Sequence, residues 1–259
     1  MDPSTSTPPT ILACSPDENP SPTNPRRDHT PGTTHTAKDS LTLKIGTLNV
    51  QNIRGNSIYV SKLLQSVDIL AIQEHWLYNF EQETLNELFP KAGWTAKSKD
   101  DSDPLPPLER IRGMAGVAFL WNMDLNQHVE KLPDGSDRII CISLNTQPKK
   151  TCLINTYMPC RGKTASVAAY RQVIDEIHEI ITKYTSTHDL YLLGDFNTDI
   201  TKSQLTPEGT LLNNLLEDFN LQLPASYPRK DTFFHLLLLL VGVSSSSFRS
   251  TSIGYRVFH

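Results

Sequence analysis

The chain has 259 residues, of which 38% are hydrophobic and 20% charged, values that exclude a membrane-embedded helix bundle and a collagen-like rod. Its formal charge of −4 divides into −2 over residues 1–40, −4 over 41–235 and +2 over 236–259, so no region carries the broad basic excess of a tight nucleic-acid binder. An acidic protein can still act on phosphates when a divalent cation supplies the positive charge.

Residues 1–40 hold 8 of the 18 prolines together with 13 serines and threonines. Such a segment cannot bury enough apolar surface to offset its ordering entropy, and it is expected to be a disordered tail. No signal-peptide core is present there. From Leu41 the texture changes. The alternation of Leu41, Leu43 and Ile45 with polar residues predicts a strand over 41–50, followed by a short helix over 57–66 and a buried strand over 68–76. A helix is expected over 81–89. Three prolines and a charge cluster make 100–110 a loop. Strands follow over 113–121, 137–145 and 151–159, with antiparallel neighbours expected among them because their connections are too short for helical crossovers. The clearest helix is 165–184, where Val167, Tyr170, Val173, Ile174, Ile177, Ile180, Ile181 and Tyr184 fall at spacings of three and four. A strand over 189–197 and an amphipathic helix over 208–219 complete the pattern. The apolar run from Phe233 to Val243 is well short of the roughly 18 to 20 residues that cross a bilayer. Four cysteines (Cys14, Cys141, Cys152, Cys160) form neither a CxxC pair nor a disulfide framework, as in a reducing, intracellular compartment.

This order of elements predicts an α/β fold with helices packed outside sheets. Polar clusters stand at the carboxyl ends of four predicted strands: Asn49; Gln73 with Glu74; Asn155 with Tyr157; Asp195 with Asn197. Strand ends are where α/β folds bind ligands. Taken singly, each of these residues is an ordinary turn former, solvated strand end or interface aromatic. Taken together they describe one chemistry. Asn and Glu offer hard oxygens suited to Mg2+ or Mn2+ rather than zinc. A carboxylate such as Asp195 orients or deprotonates an attacking water, and Asn197 and Tyr157 donate to a phosphate in the transition state. Phosphodiester hydrolysis uses all of these parts.

The quartet TLNV (47–50), IQEHW (72–76), NTYMP (155–159) and LLGDFN (192–197) resembles the endonuclease/exonuclease/phosphatase (DNase I-like) superfamily over about 41–235. QEHWL (73–77) and YPRKDTFFH (227–235) look most like the endonuclease domain of LINE-type non-LTR retrotransposons. The resemblance implies two packed mixed β-sheets flanked by helices, a four-layer sandwich. It also implies Asn49 and Glu74 as metal ligands, Tyr157 and Asn197 on the phosphate, and Asp195 on the nucleophilic water. The second Asn or Asp often found two residues after the first Asn is Gln51 here. DNA is the implied partner, held weakly through its phosphates by Lys149, Lys150, Arg161 and Lys163 and read by shape. No membrane and no obligate protein partner are expected, and the location expected is intracellular, nuclear or cytoplasmic.

The resemblance breaks after His235. The superfamily continues with an Ile-Asp-Tyr strand and closes on Ser-Asp-His, whereas residues 236–259 read as a low-complexity tail of leucines and serines with no acidic residue. A frameshift, intron read-through or decayed element copy would produce this change of texture. Three expectations follow: a domain without its last strands, an exposed edge at the 189–197 strand that Leu236–Val241 can cover only with a makeshift strand, and nuclease activity that is weak or lost. The competing readings are another phosphoesterase of the superfamily, acting on abasic DNA, RNA or a small phosphoester, and a non-catalytic remnant.

Overall fold

The computed structural model describes residues 43–101, 104, 106, 113–160 and 167–222, and the backbone of 240–242 and 254–257. The expected disordered tail, most of the 100–110 loop, Arg161, Lys163 and the 227–235 segment lie outside the described residues. In chain order the elements are β1 (Lys44–Asn49), α1 (Ser57–Leu64), β2 (Ile69–Gln73), α2 (Thr84–Leu88), β3 (Ala92–Lys97), β4 (Val117–Asn122), β5 (Val129–Lys131), β6 (Ile139–Leu144), β7 (Lys150–Tyr157), α3 (Val167–Tyr184), β8 (His188–Asp195), α4 (Pro207–Asp218), β9 (Leu221–Gln222), β10 (Leu240–Gly242) and β11 (Gly254–Val257).

Two mixed sheets result. The first has the order β11-β1-β2-β4-β3 and the second β5-β6-β7-β8-β10-β9. Side chains alternate across a strand, so each sheet has two faces to bury. One face of each is shared: Ile45, Ile69, Ala71, Phe119 and Trp121 from the first sheet pack on Ile140, Ile142, Leu153, Tyr191 and Leu193 from the second. The opposite faces are covered by helices. Leu48, Leu70, Ile72 and Leu120 meet Val60 and Leu63 of α1 and Leu85 of α2. Ile154, Leu190 and Leu192 meet the α3 stripe of Tyr170, Val173, Ile174, Ile177, Ile180, Ile181 and Tyr184, and Leu212, Leu215 and Leu216 of α4. The molecule is thus the expected α/β sandwich of helices, sheet, sheet and helices. Helix α4 starts where Thr206 caps it, accepting from the Gly209 N–H at 3.1 Å, with Pro207 pre-set for the first turn.

Several expectations change. The 113–121 segment is not a partner of the next two predicted strands. It forms β4 of the first sheet, antiparallel to β2 and β3, while β6 and β7 pair antiparallel in the second. The crossing is made by a 3-10 turn over Met123–His128 and the short β5. β3 (AGWTAK) went unread because its alternation of Ala92, Trp94 and Ala96 with Gly93, Thr95 and Lys97 is carried mostly by small residues. The edge of β8 is covered by a short strand from the Leu236–Val241 run, as the sequence reading allowed: Leu240 and Val241 of β10 lie antiparallel to Leu192 and Tyr191. β11 runs parallel to β1, with Gly254 opposite Lys44. No helix of the described residues is long and apolar enough to cross a membrane.

Candidate active site

The inter-sheet face turns polar at one end of the sandwich, and parity explains how. Continuing the odd-numbered face of each strand past the core residues leads to Asn49 on β1, Gln73 on β2, Asn155 and Tyr157 on β7 and Asp195 on β8. Register then aligns the ends. Asn49 lies opposite Gln73 in the parallel β1–β2 pair, and Tyr157 opposite Asp195 in the parallel β7–β8 pair. All four strands therefore deliver polar side chains to one edge.

Glu74 has the wrong parity for this face, and the backbone corrects it. Its φ of +57° breaks the alternation directly after β2. The carboxylate comes back toward the site, where Glu74 Oε1 accepts a hydrogen bond from Asn49 Nδ2 at 2.8 Å. The same Asn49 Nδ2 donates to Asp195 Oδ2 at 2.8 Å. The two carboxylate oxygens are thus separated by at most twice that length, and Asp195 is fully buried. The other oxygen of Asp195 accepts from the Asn197 N–H at 3.0 Å. Asn197, at φ +49°, donates its side-chain amide to Met158 O at 2.7 Å, which fastens the β8 turn to the end of β7. From the helix side, the Tyr170 hydroxyl donates to Phe196 O at 3.0 Å.

Tyr157 closes the group. Its hydroxyl lies 3.3 Å from the Cys160 sulfur. Burial first, then the Cys160 hydrogen bond and the neighbouring Glu74 carboxylate, push the phenol well above its ordinary range. It therefore stays protonated and keeps an O–H to donate. Positive φ is concentrated here, at Gln51 (+44°), Asn52 (+86°), Glu74 (+57°), Trp76 (+59°), Ala115 (+54°) and Asn197 (+49°). Backbone strain of this kind gathers where a site is over-determined by its surroundings. Gly194 (φ +137°) permits the close approach of β8 to β7, since a Cβ there would stand 1.9 Å from Thr156 O.

Sequence reasoning assigned no role to four supporting residues. Asn155 is a cross-sheet clamp: it donates to Ile72 O and Ala118 O, both at 2.9 Å, and accepts from Gln73 Nε2 at 2.6 Å. His75 is fully buried, accepts the Leu77 N–H at Nδ1 and reaches Lys97 O from Nε2 at 3.0 Å, and burial lowers its pKa to about 4. Trp76 donates its indole N–H to Glu74 Oε2 at 3.1 Å. Arg138 donates to Tyr157 O at 3.1 Å, with its guanidinium 5.6 Å from the centre of the tyrosine ring. Asn155 stands in a polar strand-end cluster and His75 and Trp76 in the IQEHW motif, whereas Arg138 carried no signal, and the contacts of Asn155 and Arg138 reach other strands that local spacing does not reveal.

Of the nine residues proposed from sequence, Asn49, Glu74, Tyr157, Asp195 and Asn197 are brought together. Lys149 and Lys150 are not. Lys150 opens β7 and Tyr157 closes it, which separates them by roughly 23 Å at about 3.3 Å per residue. Lys150 pairs with Glu130 at 3.3 Å, and Lys149 donates to Thr185 O at 3.0 Å. Gln51 is exposed at its left-handed turn.

The donor set fits a hard divalent cation. Asn49 Oδ1 is buried and has no hydrogen-bond partner in the described structure, while its Nδ2 is committed to both carboxylates. A buried amide oxygen without a donor, beside two like-charged carboxylates, is what a cation would satisfy. Among the described residues there is no cluster of three or more His, Cys, Asp and Glu side chains, so the arrangement rests on mixed carboxylate and amide oxygens.

The sequence profile of the Endonuclease/Exonuclease/phosphatase family matches residues 46–237. No curated protein sequence matches the chain. Among solved structures, the chain is similar to the 3′ phosphatase NExo from Neisseria bound to product DNA hairpin, with 17% identity over 76% of this chain and 86% of that one and a TM-score of 0.53. It is also similar to an AP endonuclease from Archaeoglobus fulgidus (15% identity, 78% and 87% covered, TM-score 0.56). A third similar structure is the endonuclease domain of TRAS1, a telomere-specific non-LTR retrotransposon (16% identity, 75% and 81% covered, TM-score 0.52). These likenesses share the two-sheet sandwich.

Proposed function

Since the chain belongs to the Endonuclease/Exonuclease/phosphatase family, we propose that it is a divalent-metal-dependent phosphodiester hydrolase that nicks DNA in the manner of a retrotransposon endonuclease. One observation carries the reading: the Asn49 amide that joins the Glu74 and Asp195 carboxylates while leaving its own oxygen buried and unpartnered. Asn49 and Glu74 would hold Mg2+ or Mn2+, which when bound neutralises a phosphate oxygen and the charge that develops on it. The remaining chemistry belongs to the chain. Asp195, held at one oxygen by Asn49 and at the other by the Asn197 N–H, aligns a water and draws off its proton. Tyr157, kept protonated by its surroundings, donates to the phosphate. Asn197 adds a second donor from the amide hydrogen that does not go to Met158 O.

Residues 236–259 contain no acidic residue, so the Asp-His pair expected of the family has no counterpart there, and turnover is expected to be slow. DNA is then held weakly and through its phosphates. The expected result in a supercoiled-plasmid assay is slow, Mg2+-dependent nicking that EDTA abolishes and that falls at least about 100-fold in Asp195→Asn. Nicking that persists in either condition would refute the reading. A second reading keeps the site and changes the substrate, since similar folds occur in a 3′ phosphatase and an AP endonuclease. Rates on abasic, 3′-phosphorylated and intact oligonucleotides separate the two.

A further inference from the structure

We infer that Trp76 is a positioning residue that sets the cation affinity of this site through Glu74. The inference rests on the metal-site reading proposed above. Glu74 is held at both oxygens: Oε1 accepts from Asn49 Nδ2 at 2.8 Å and Oε2 accepts from the Trp76 indole N–H at 3.1 Å. A carboxylate gripped at both ends loses its rotation about the last side-chain bond, and each oxygen keeps lone pairs for a cation. Trp76 is itself braced. Its backbone N–H donates to Ala115 O at 3.0 Å, and Glu74 N–H donates to Gly116 O at 2.9 Å. Glu74, Trp76, Ala115 and Gly116 all have positive φ (+57°, +59°, +54° and +85°). A Cβ at Gly113 would stand 1.7 Å from Trp76 O, so the two segments are in direct backbone contact. Side-chain partners of a metal-ligating carboxylate orient the ligand and tune its basicity, and their loss typically weakens metal binding 10- to 100-fold.

The experiment is a Mg2+ titration that reads binding rather than turnover. In isothermal calorimetry, Trp76→Phe, which keeps an aromatic ring and removes the donor, should raise the Mg2+ dissociation constant by about 10-fold. Thermal unfolding in EDTA shows whether the variant is folded, and a purely structural role would lower that transition without moving the affinity. A second measurement uses the unaltered chain. Its three tryptophans give three indole N–H resonances, and two of them are internal references: Trp94 donates to Asn86 at 2.6 Å and Trp121 to Asn126 at 3.3 Å. Added Mg2+ should shift the Trp76 resonance and leave the other two in place. If the unaltered chain binds cation while the Trp76 resonance and the Trp76→Phe affinity stay where they were, this inference fails and the metal-site reading survives. If the unaltered chain binds neither Mg2+ nor Mn2+, both fail together. Should Trp76→Phe not fold, the resonance shift alone decides.

Discussion

One amide at Asn49 serves two carboxylates, and His75 shows what the neighbouring turn demands in return. The imidazole has no exposure at all, is fixed as a neutral ring between the Leu77 N–H and Lys97 O, and has its pKa lowered to about 4 by burial. In the unfolded chain the same group titrates near 6.5. Between these values the unfolded state binds a proton that the folded state refuses, so stability is fully present above about pH 6.5 and declines as pH falls toward 4, by roughly 3 kcal/mol. Urea unfolding of the metal-free protein in EDTA at pH 7 and pH 4.5 tests this. His75→Gln should flatten the difference between the two pH values, whereas an unchanged slope would assign the acid sensitivity to other groups. Such a role was not legible in the sequence. Asn49, Glu74, Tyr157, Asp195 and Asn197 could be read because residue type and position at a strand end together specify a chemistry. His75 and Asn155 could not, because their partners, Lys97 O, Ile72 O and Ala118 O, are backbone groups on other strands that leave no trace in local spacing.

The strand pair β7–β8 converts sequence into site geometry, and Gly194 is its most constrained point. The parallel register places Gly194 opposite Thr156 and, one step on, Asp195 opposite Tyr157. At φ +137°, with Thr156 O only 1.9 Å from where a Cβ would stand, alanine requires both a backbone shift and a conformation that L-residues rarely adopt. Gly194→Ala should therefore cost about 2 kcal/mol or more in denaturant unfolding and displace the Asp195 carboxylate from Asn49. An alanine variant with an unaltered midpoint would show that the two strands can part without consequence. α3 was readable because its eighteen residues repeat one apolar stripe, and β8 because a long apolar run ends in a polar turn. β5 and β9, with three and two residues, are too short for any periodicity to register. β3 is half-buried at the edge of the first sheet, where pairing to β4 rather than composition makes it a strand.

Taken as a whole, the sandwich depends on residues whose sequence gave least reason to expect it. Most elements up to residue 222 follow from patterns that agree with one another, in which strand parity, helix stripe and polar strand ends all point to two sheets sharing one core. The stretch 236–259 agrees with none of them, being rich in leucine and serine and devoid of acidic residues. Yet β10 pairs with β8 and β9, and β11 pairs with β1, so each sheet draws a strand from it. Backbone pairing asks only for extended chain and free N–H and C=O groups, which is why a segment unlike the rest can still close an edge. Function asks for side chains at set positions, and the same segment supplies no carboxylate. Its contribution is thus expected to be separable: structural without being chemical. A chain ending at His235 should leave β1 and the strand carrying Asp195 with open hydrogen-bonding edges, lower the unfolding temperature and aggregate with rising concentration, as followed by light scattering. Its Mg2+ affinity per folded molecule should be unchanged, because Asn49, Glu74, Trp76 and Asp195 all lie in the retained part. Equal melting and equal dispersity of the two chains would mean that β10 and β11 add no stability, and a loss of cation binding in a folded, monodisperse truncation would mean that the segment reaches the site after all.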